Sequence, residues 1–109
     1  MRIIEGAGAY THAHPNHFIE HLRVADLSVG TYSIPAGGAD DQTPHTEDEI
    51  YVVTRGRARL VTETGEAHVG PGDVIFVPAG EAHRFMDITE DLALLVVFAP
   101  AYRSRAVPA

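Results

Sequence analysis

The chain has 109 residues, no cysteine, and a formal net charge of −7, from 15 acidic residues against eight arginines and no lysine. A chain this long buries roughly 65% of the surface it exposes when unfolded, enough for one core in one domain over residues 1–109, and the missing cysteines exclude disulfides, thiolate metal sites and thiol nucleophiles. An acidic surface repels phosphate backbones, which argues against nucleic acid, and no apolar run is long enough to span a bilayer or serve as a secretion leader, so a cytoplasmic protein is expected.

Residues 1–16 show no sustained period and are expected to form an N-terminal arm. Four histidines fall between positions 12 and 21. His12-Ala13-His14 has the spacing of a chelate. The segment from His17 to His21 matches the H-x-x-E-H pattern of inverted zinc peptidases, but that chemistry needs a helix and a large cleft. Here a strand-like run follows at residues 22–26, so rim histidines are the preferred reading. A histidine of the arm folded over a pocket mouth is the alternative.

Residues 27–34 read as a strand in which Gly30 suggests a bulge or bend. Pro35, Gly37 and Gly38 open a long turn that delivers His45. Thr46 and Glu49 imitate a helix capping box, yet the run behind them at 50–54 is wholly β-branched or aromatic and ends at Gly56, so it is a strand. Both its faces are apolar, so a second strand layer or a second subunit should cover them. Arg55, Arg57 and Arg59 alternate and read as a solvated face.

Residues 57–62, 67–69, 74–77, 83–86 and 92–98 continue the series of strands, with 74–77 expected to be buried. Turn signals at 63–66, 70–73 and 78–81 separate them, and the last of these delivers His83. His83 and Phe85 share a face. A loose tail is expected over 101–109. Short strands with a turn about every ten residues indicate an all-β sandwich or barrel, and no composition break divides the chain.

Two of these turns carry the chemistry. His45 and Glu49 are four residues apart, close enough for a turn and strand to bring them together. His83 joins them only if the fold brings it there. Two neutral imidazoles and a carboxylate are a common set for a divalent transition metal with positions left for water or substrate.

The stretches 37–56 and 72–87 resemble the paired motifs of the cupin superfamily. Its first motif runs Gly, five residues, His-x-His, three or four residues, Glu, six residues, Gly. Here Glu49 and Gly56 stand six residues apart, and His45 takes the second histidine with the three-residue gap. Gly72, Pro78, Gly80 and His83 keep step with the second motif, and the intermotif stretch 57–71 is short, as in microbial members. Two departures are visible. Thr43 stands where the first histidine would be, or Gln42 if the longer gap is counted, and Asp87 replaces the usual Asn, a structural turn position.

The resemblance implies a double-stranded β-helix, a jelly-roll barrel that frequently dimerises, here as a homodimer. It implies metal ligands at His45, Glu49 and His83, with Gln42 as a fourth through its amide oxygen. Tyr51, Phe76, Phe85 and Phe98 would lie on or near the lining. The phenols of Tyr32 and Tyr51 would serve as donors to a bound anion, and Glu49 and Tyr51 are the catalytic candidates. Two functions follow. One is a small metal-dependent enzyme, a dioxygenase, isomerase or lyase using Zn, Fe, Mn or Ni on a small oxygen-rich molecule. The other is a non-catalytic barrel that binds a sugar or anion.

Overall fold

The computed structural model describes residues 1–12 and 15–105. Among these are eight strands and no helix: β1 (His17–Arg23), β2 (Ser28–Ile34), β3 (Asp48–Arg55), β4 (Ala58–Thr62), β5 (Gly65–Val69), β6 (Val74–Val77), β7 (His83–Met86) and β8 (Leu92–Ala99). They form two antiparallel sheets, one in the order β1-β2-β8-β3-β6 and one in the order β5-β4-β7. This is the expected double-stranded β-helix, although the sheets do not close into a continuous barrel.

Strand alternation builds the core. Glu49, Tyr51 and Val53 of β3 point inward with Leu92, Leu94, Val96 and Phe98 of β8, and Leu60 and Phe85 meet them from the smaller sheet. In-register pairs hold these sets level: Glu49 faces Phe98 on one side and Val77 on the other, and Leu60 faces Phe85. A one-residue slip of β3 would turn both Glu49 and Tyr51 outward.

Several expectations need correction. The first strand begins at His17 rather than near residue 22, and it ends at Arg23. It is an edge strand, half exposed and polar, so it lacks the apolar alternation that marks a strand in sequence. Its β conformation also removes the peptidase pattern at 17–21, which needs a helix. The register irregularity lies in β1, between Glu20 and Leu22, and not at Gly30 itself. Gly30 is required for another reason: a Cβ there would sit 2.6 Å from the Phe18 ring and 2.8 Å from the Ile19 carbonyl oxygen.

The strand β6 is not buried. It is the other edge of the five-stranded sheet, and Val74 and Phe76 are 65% and 60% exposed while Val77 points into the core. Phe76 therefore does not line the interior as expected. It pairs with Ile50, and Val74 pairs with Val52, on the outer face. No second strand layer covers that face among the described residues.

Within the described residues, parts of both end segments are tied to the sheets. Gly8 is buried, its amide donates to Thr31 Oγ1 at 2.8 Å, and Thr11 donates to Ser33 Oγ at 3.0 Å. At the other end Ala101 is buried, and the amides of Arg103 and Arg105 donate to the Glu47 carboxylate. The chelate reading at 12–14 and the tail at 106–109 fall partly or wholly outside the described residues. The three alternating arginines are solvated and paired, Arg55 with Asp91, Arg57 with Glu90, and Arg59 with both Glu66 and Asp87. Asp87 has φ of 51°, which suits the turn role read for it. Among the described residues no helix is long and apolar enough to cross a membrane.

Candidate metal site

Two turns from distant parts of the chain are stitched together. The Gly80 amide donates to the His45 carbonyl oxygen at 2.8 Å, and the Ala79 amide donates to Asp48 Oδ1 at 2.9 Å. Gly80 has φ of 78°, a conformation costly for residues with a Cβ, so the turn that delivers His83 depends on it. Glu49 rises between the two histidines from the inner face of β3. The sequence spacing explains the nearness of His45 and Glu49; only the stitched turns explain His83.

His45 Nε2 lies 2.7 Å and His83 Nε2 3.2 Å from the same oxygen, Oε1 of Glu49. One donor atom from each of the three residues falls within 4.8 Å of the others, and all three residues are buried. Each imidazole is oriented by its other nitrogen. His45 Nδ1 lies 3.2 Å from the Glu47 carbonyl oxygen and His83 Nδ1 lies 2.8 Å from that of Glu81. A carbonyl only accepts, so both Nδ1 atoms carry the proton and donate it. In the neutral tautomer that results, each Nε2 presents a lone pair to a carboxylate that has only lone pairs.

Such an arrangement calls for a cation. Neither carboxylate oxygen of Glu49 nor His45 Nε2 has a hydrogen-bond partner in this buried place. A divalent ion satisfies all three at once, and the backbone-anchored Nδ1–H groups are the outer-shell support that metal-binding histidines carry. The residues present therefore fit a bound transition metal. Without an ion, a proton on an imidazole is the substitute. Burial alone would lower the His83 pKa, but the Glu49 carboxylate beside it, the hydrogen bond to the Glu81 carbonyl and the Asp40 charge outweigh it and raise the value.

The other expected site residues gather around this point. The Tyr51 hydroxyl lies 2.9 Å from His83 Nε2 and 3.0 Å from Gln42 Oε1. Burial, and then the Glu49 charge, push its phenol well above the usual value, so it is a protonated donor and never a base near neutrality. Gln42 is held from both ends, since its amide nitrogen donates to Asp40 Oδ2 at 3.1 Å while its oxygen faces Tyr51. Thr43, the other candidate for that place, lines the same cavity. Tyr32 is not the free donor expected. Its hydroxyl is committed to Asp40 Oδ1 at 3.0 Å, and burial with the Asp40 carboxylate beside it raises its pKa far above the usual phenol.

Sequence reasoning overlooked two buried acids. Asp40 accepts from Tyr32, from the amide and side chain of Gln42, and from the Phe85 amide, so it fixes the turn to β2 and β7. Glu47 is fully buried and accepts from Thr46 and from the amides of Arg103 and Arg105. Neither leaves a sequence signal, because the contacts that fix them to other elements, from the Phe85, Arg103 and Arg105 amides, come from backbone remote along the chain. A cavity of about 240 Å³ opens from Glu49 outward, walled by Phe18, Phe98 and Tyr102. Phe98 stacks edge-on to His45 with centroids 4.7 Å apart, and Tyr102 packs on Phe98 at 4.5 Å.

Residues 30–98 match the family profile of the cupin domain. The chain belongs to the cupin family. A curated relative of this cupin, an uncharacterized protein from Streptomyces coelicolor, is 44% identical over 88 residues, covering 81% of this chain and 84% of the relative. Among solved structures, a conserved Klebsiella pneumoniae protein with a double-stranded β-helix domain superposes with a TM-score of 0.80 at 19% identity, covering 92% of this cupin and 90% of that chain. A putative mannose-6-phosphate isomerase from Ralstonia eutropha gives 0.76 at 22% identity, covering 93% and 100%. At these identities the structural likenesses speak to the fold alone.

Proposed function

We propose that this cupin is a metal-dependent enzyme of the dioxygenase or isomerase/lyase class, acting on a small oxygen-rich organic molecule. The observation that carries this reading is the convergence of two Nε2 lone pairs and an unpartnered carboxylate on one buried point. When bound there, a divalent ion such as Zn, Fe, Mn or Ni supplies Lewis acidity toward a keto-enol, diketone or enediol and, with iron, redox chemistry toward oxygen.

The protein's own groups have separable roles. His45, His83 and Glu49 would hold the ion, and Gln42 would offer an amide oxygen as the fourth ligand. Once the His83 lone pair is taken, the Tyr51 proton is free for Gln42 or for an oxygen of the substrate. Glu49 would be the carboxylate that takes a proton from substrate. The aromatic wall limits water at the cavity's inner end and gives a flat substrate something to lie against.

A second reading rests on position 43. A threonine there, with a glutamine beside it, leaves the fourth ligand weak, which favours a non-catalytic barrel that binds a sugar or anion. Metal analysis of untagged protein purified without chelator separates the readings. About one ion per chain, lost in His45→Ala, supports the enzyme. No metal in the wild type, with ligand binding unaffected in His45→Ala, overturns it. We further propose that the working form is a homodimer, a reading supported by the uncovered apolar face around Ile50, Val74 and Phe76. Nucleic acid and membrane are not proposed as partners.

A further inference from the structure

We propose that Arg103 is the residue that selects the substrate, and that the molecule entering this cavity carries a carboxylate or phosphate at the end remote from Glu49. The inference rests on the proposed function, whose site it extends. It begins with an oddity of the backbone. Arg103 has φ of 61°, a left-handed conformation that residues with a Cβ rarely adopt. A local turn spans it, with the Ser104 amide donating to the Ala101 carbonyl oxygen at 2.9 Å. It is held from the interior, where Glu47 accepts from the Arg103 amide at 2.7 Å and from the Arg105 amide at 3.0 Å. A fully buried carboxylate is thus used to hold the backbone of the exposed segment that carries Arg103 and Arg105. Strain maintained by a buried anchor is a reason to ask what the residue does.

What it does follows from where it stands. Among the described residues that line the cavity, Arg103 is the one cation. Its guanidinium lies over the Tyr102 ring, 5.3 Å from the centroid, so the head group is steadied by an aromatic that is itself part of the wall. Among the described residues no carboxylate lies within ion-pair distance of it. The neighbouring acid of the lining, Asp41, already accepts from the Asn16 amide at 2.9 Å. The cavity lining therefore combines the cation-seeking carboxylate of Glu49 with a planar, five-donor guanidinium. A fork of that kind recognises carboxylate or phosphate through paired charge-assisted hydrogen bonds. In a chain of net charge −7, a guanidinium facing a cavity is also what lets an anion approach at all.

The test compares molecules that differ only in that charge. Dihydroxyacetone phosphate is set against dihydroxyacetone, and levulinate against methyl levulinate, by amide-shift titration of the wild type, Arg103→Ala, Arg103→Lys and Glu47→Gln. Each titration is run on metal-free and on zinc-loaded protein. In the wild type the charged member of at least one pair binds about tenfold or more tightly, and the Tyr102 and Arg103 amides shift. The pair that shows it tells phosphate from carboxylate. Arg103→Ala brings the preference below about twofold without weakening the neutral member, Arg103→Lys restores part of it, and Glu47→Gln lowers it although the arginine remains. No charge preference in the wild type, or one that survives in Arg103→Ala, overturns the proposal. Zinc that binds without any charge preference defeats this inference alone. A preference that persists in protein unable to take up zinc upholds it and defeats the metal-enzyme reading instead.

Discussion

At the scale of single residues, the site is governed by where protons are not. Both Nδ1–H groups are tied to carbonyls, so neither Nε2 carries a proton of its own toward Glu49. Replacing Glu49 by Gln, or either histidine by Ala, is expected to lower metal affinity at least about a hundredfold, measured by competition with a chromophoric chelator. Tyr51→Phe should leave affinity within about threefold, since the phenol is a donor to ligands rather than one of them, while lowering turnover or ligand affinity about tenfold or more. The pH dependence has a definite sign. The native His83 pKa lies above its unfolded value, so in metal-free protein its stabilising contribution is full below about pH 6.5 and is lost as pH rises through the raised native value. With metal bound the imidazole must be neutral, so affinity climbs over the same window. Thermal unfolding from pH 6 to 8 should therefore show Tm falling for the metal-free form and rising for the loaded form.

At the scale of elements, turns matter more than strands. The contacts from Gly80 to His45 and from Ala79 to Asp48 make the two motif turns one unit, and Asp40 fastens the loop before them to β2 and β7. The segment after β8 joins this assembly through Glu47. Three hydrogen bonds hold that carboxylate, and although burial opposes ionisation, those bonds prevail and leave its pKa below the usual range. Its contribution is present above the unfolded value and lost as pH falls through the depressed native one. Glu47→Gln should cost about 1–3 kcal/mol and should speed hydrogen exchange at the Arg103 and Arg105 amides before that of the strands. Equal protection of those amides in the variant would show that the latch is not what holds the segment.

At the scale of the whole molecule, two sheets share one core and differ in what lies outside it. Leu94 is fully buried in the middle of β8, and Leu94→Ala should destabilise by about 2–5 kcal/mol in denaturant melts. The outer face of the larger sheet carries exposed Ile50, Val74 and Phe76 along an edge that a lone chain leaves open. Phe76→Lys is expected to yield a monomer by light scattering while leaving metal content unchanged. A wild type that is already monomeric at high concentration would remove the homodimer.

Much of this was legible in the sequence because it is local. Alternation and turn residues place seven of the eight strands, and the resemblance to the paired cupin motifs points to His45, Glu49 and His83. Strand β1 carries no such pattern because an edge strand buries too little to need one, and β6 reads as a buried strand because four apolar residues in a row do not say which face is covered. Tertiary structure alone decided the rest. That His83 reaches Glu49, that Asp40 takes up the Tyr32 hydroxyl, and that Glu47 carries Arg103 to the cavity wall are contacts between groups 34, 8 and 56 residues apart in sequence. Spacing encodes what a turn or strand can bring together, whereas a hydrogen bond from a remote backbone amide leaves no mark on the residue that accepts it.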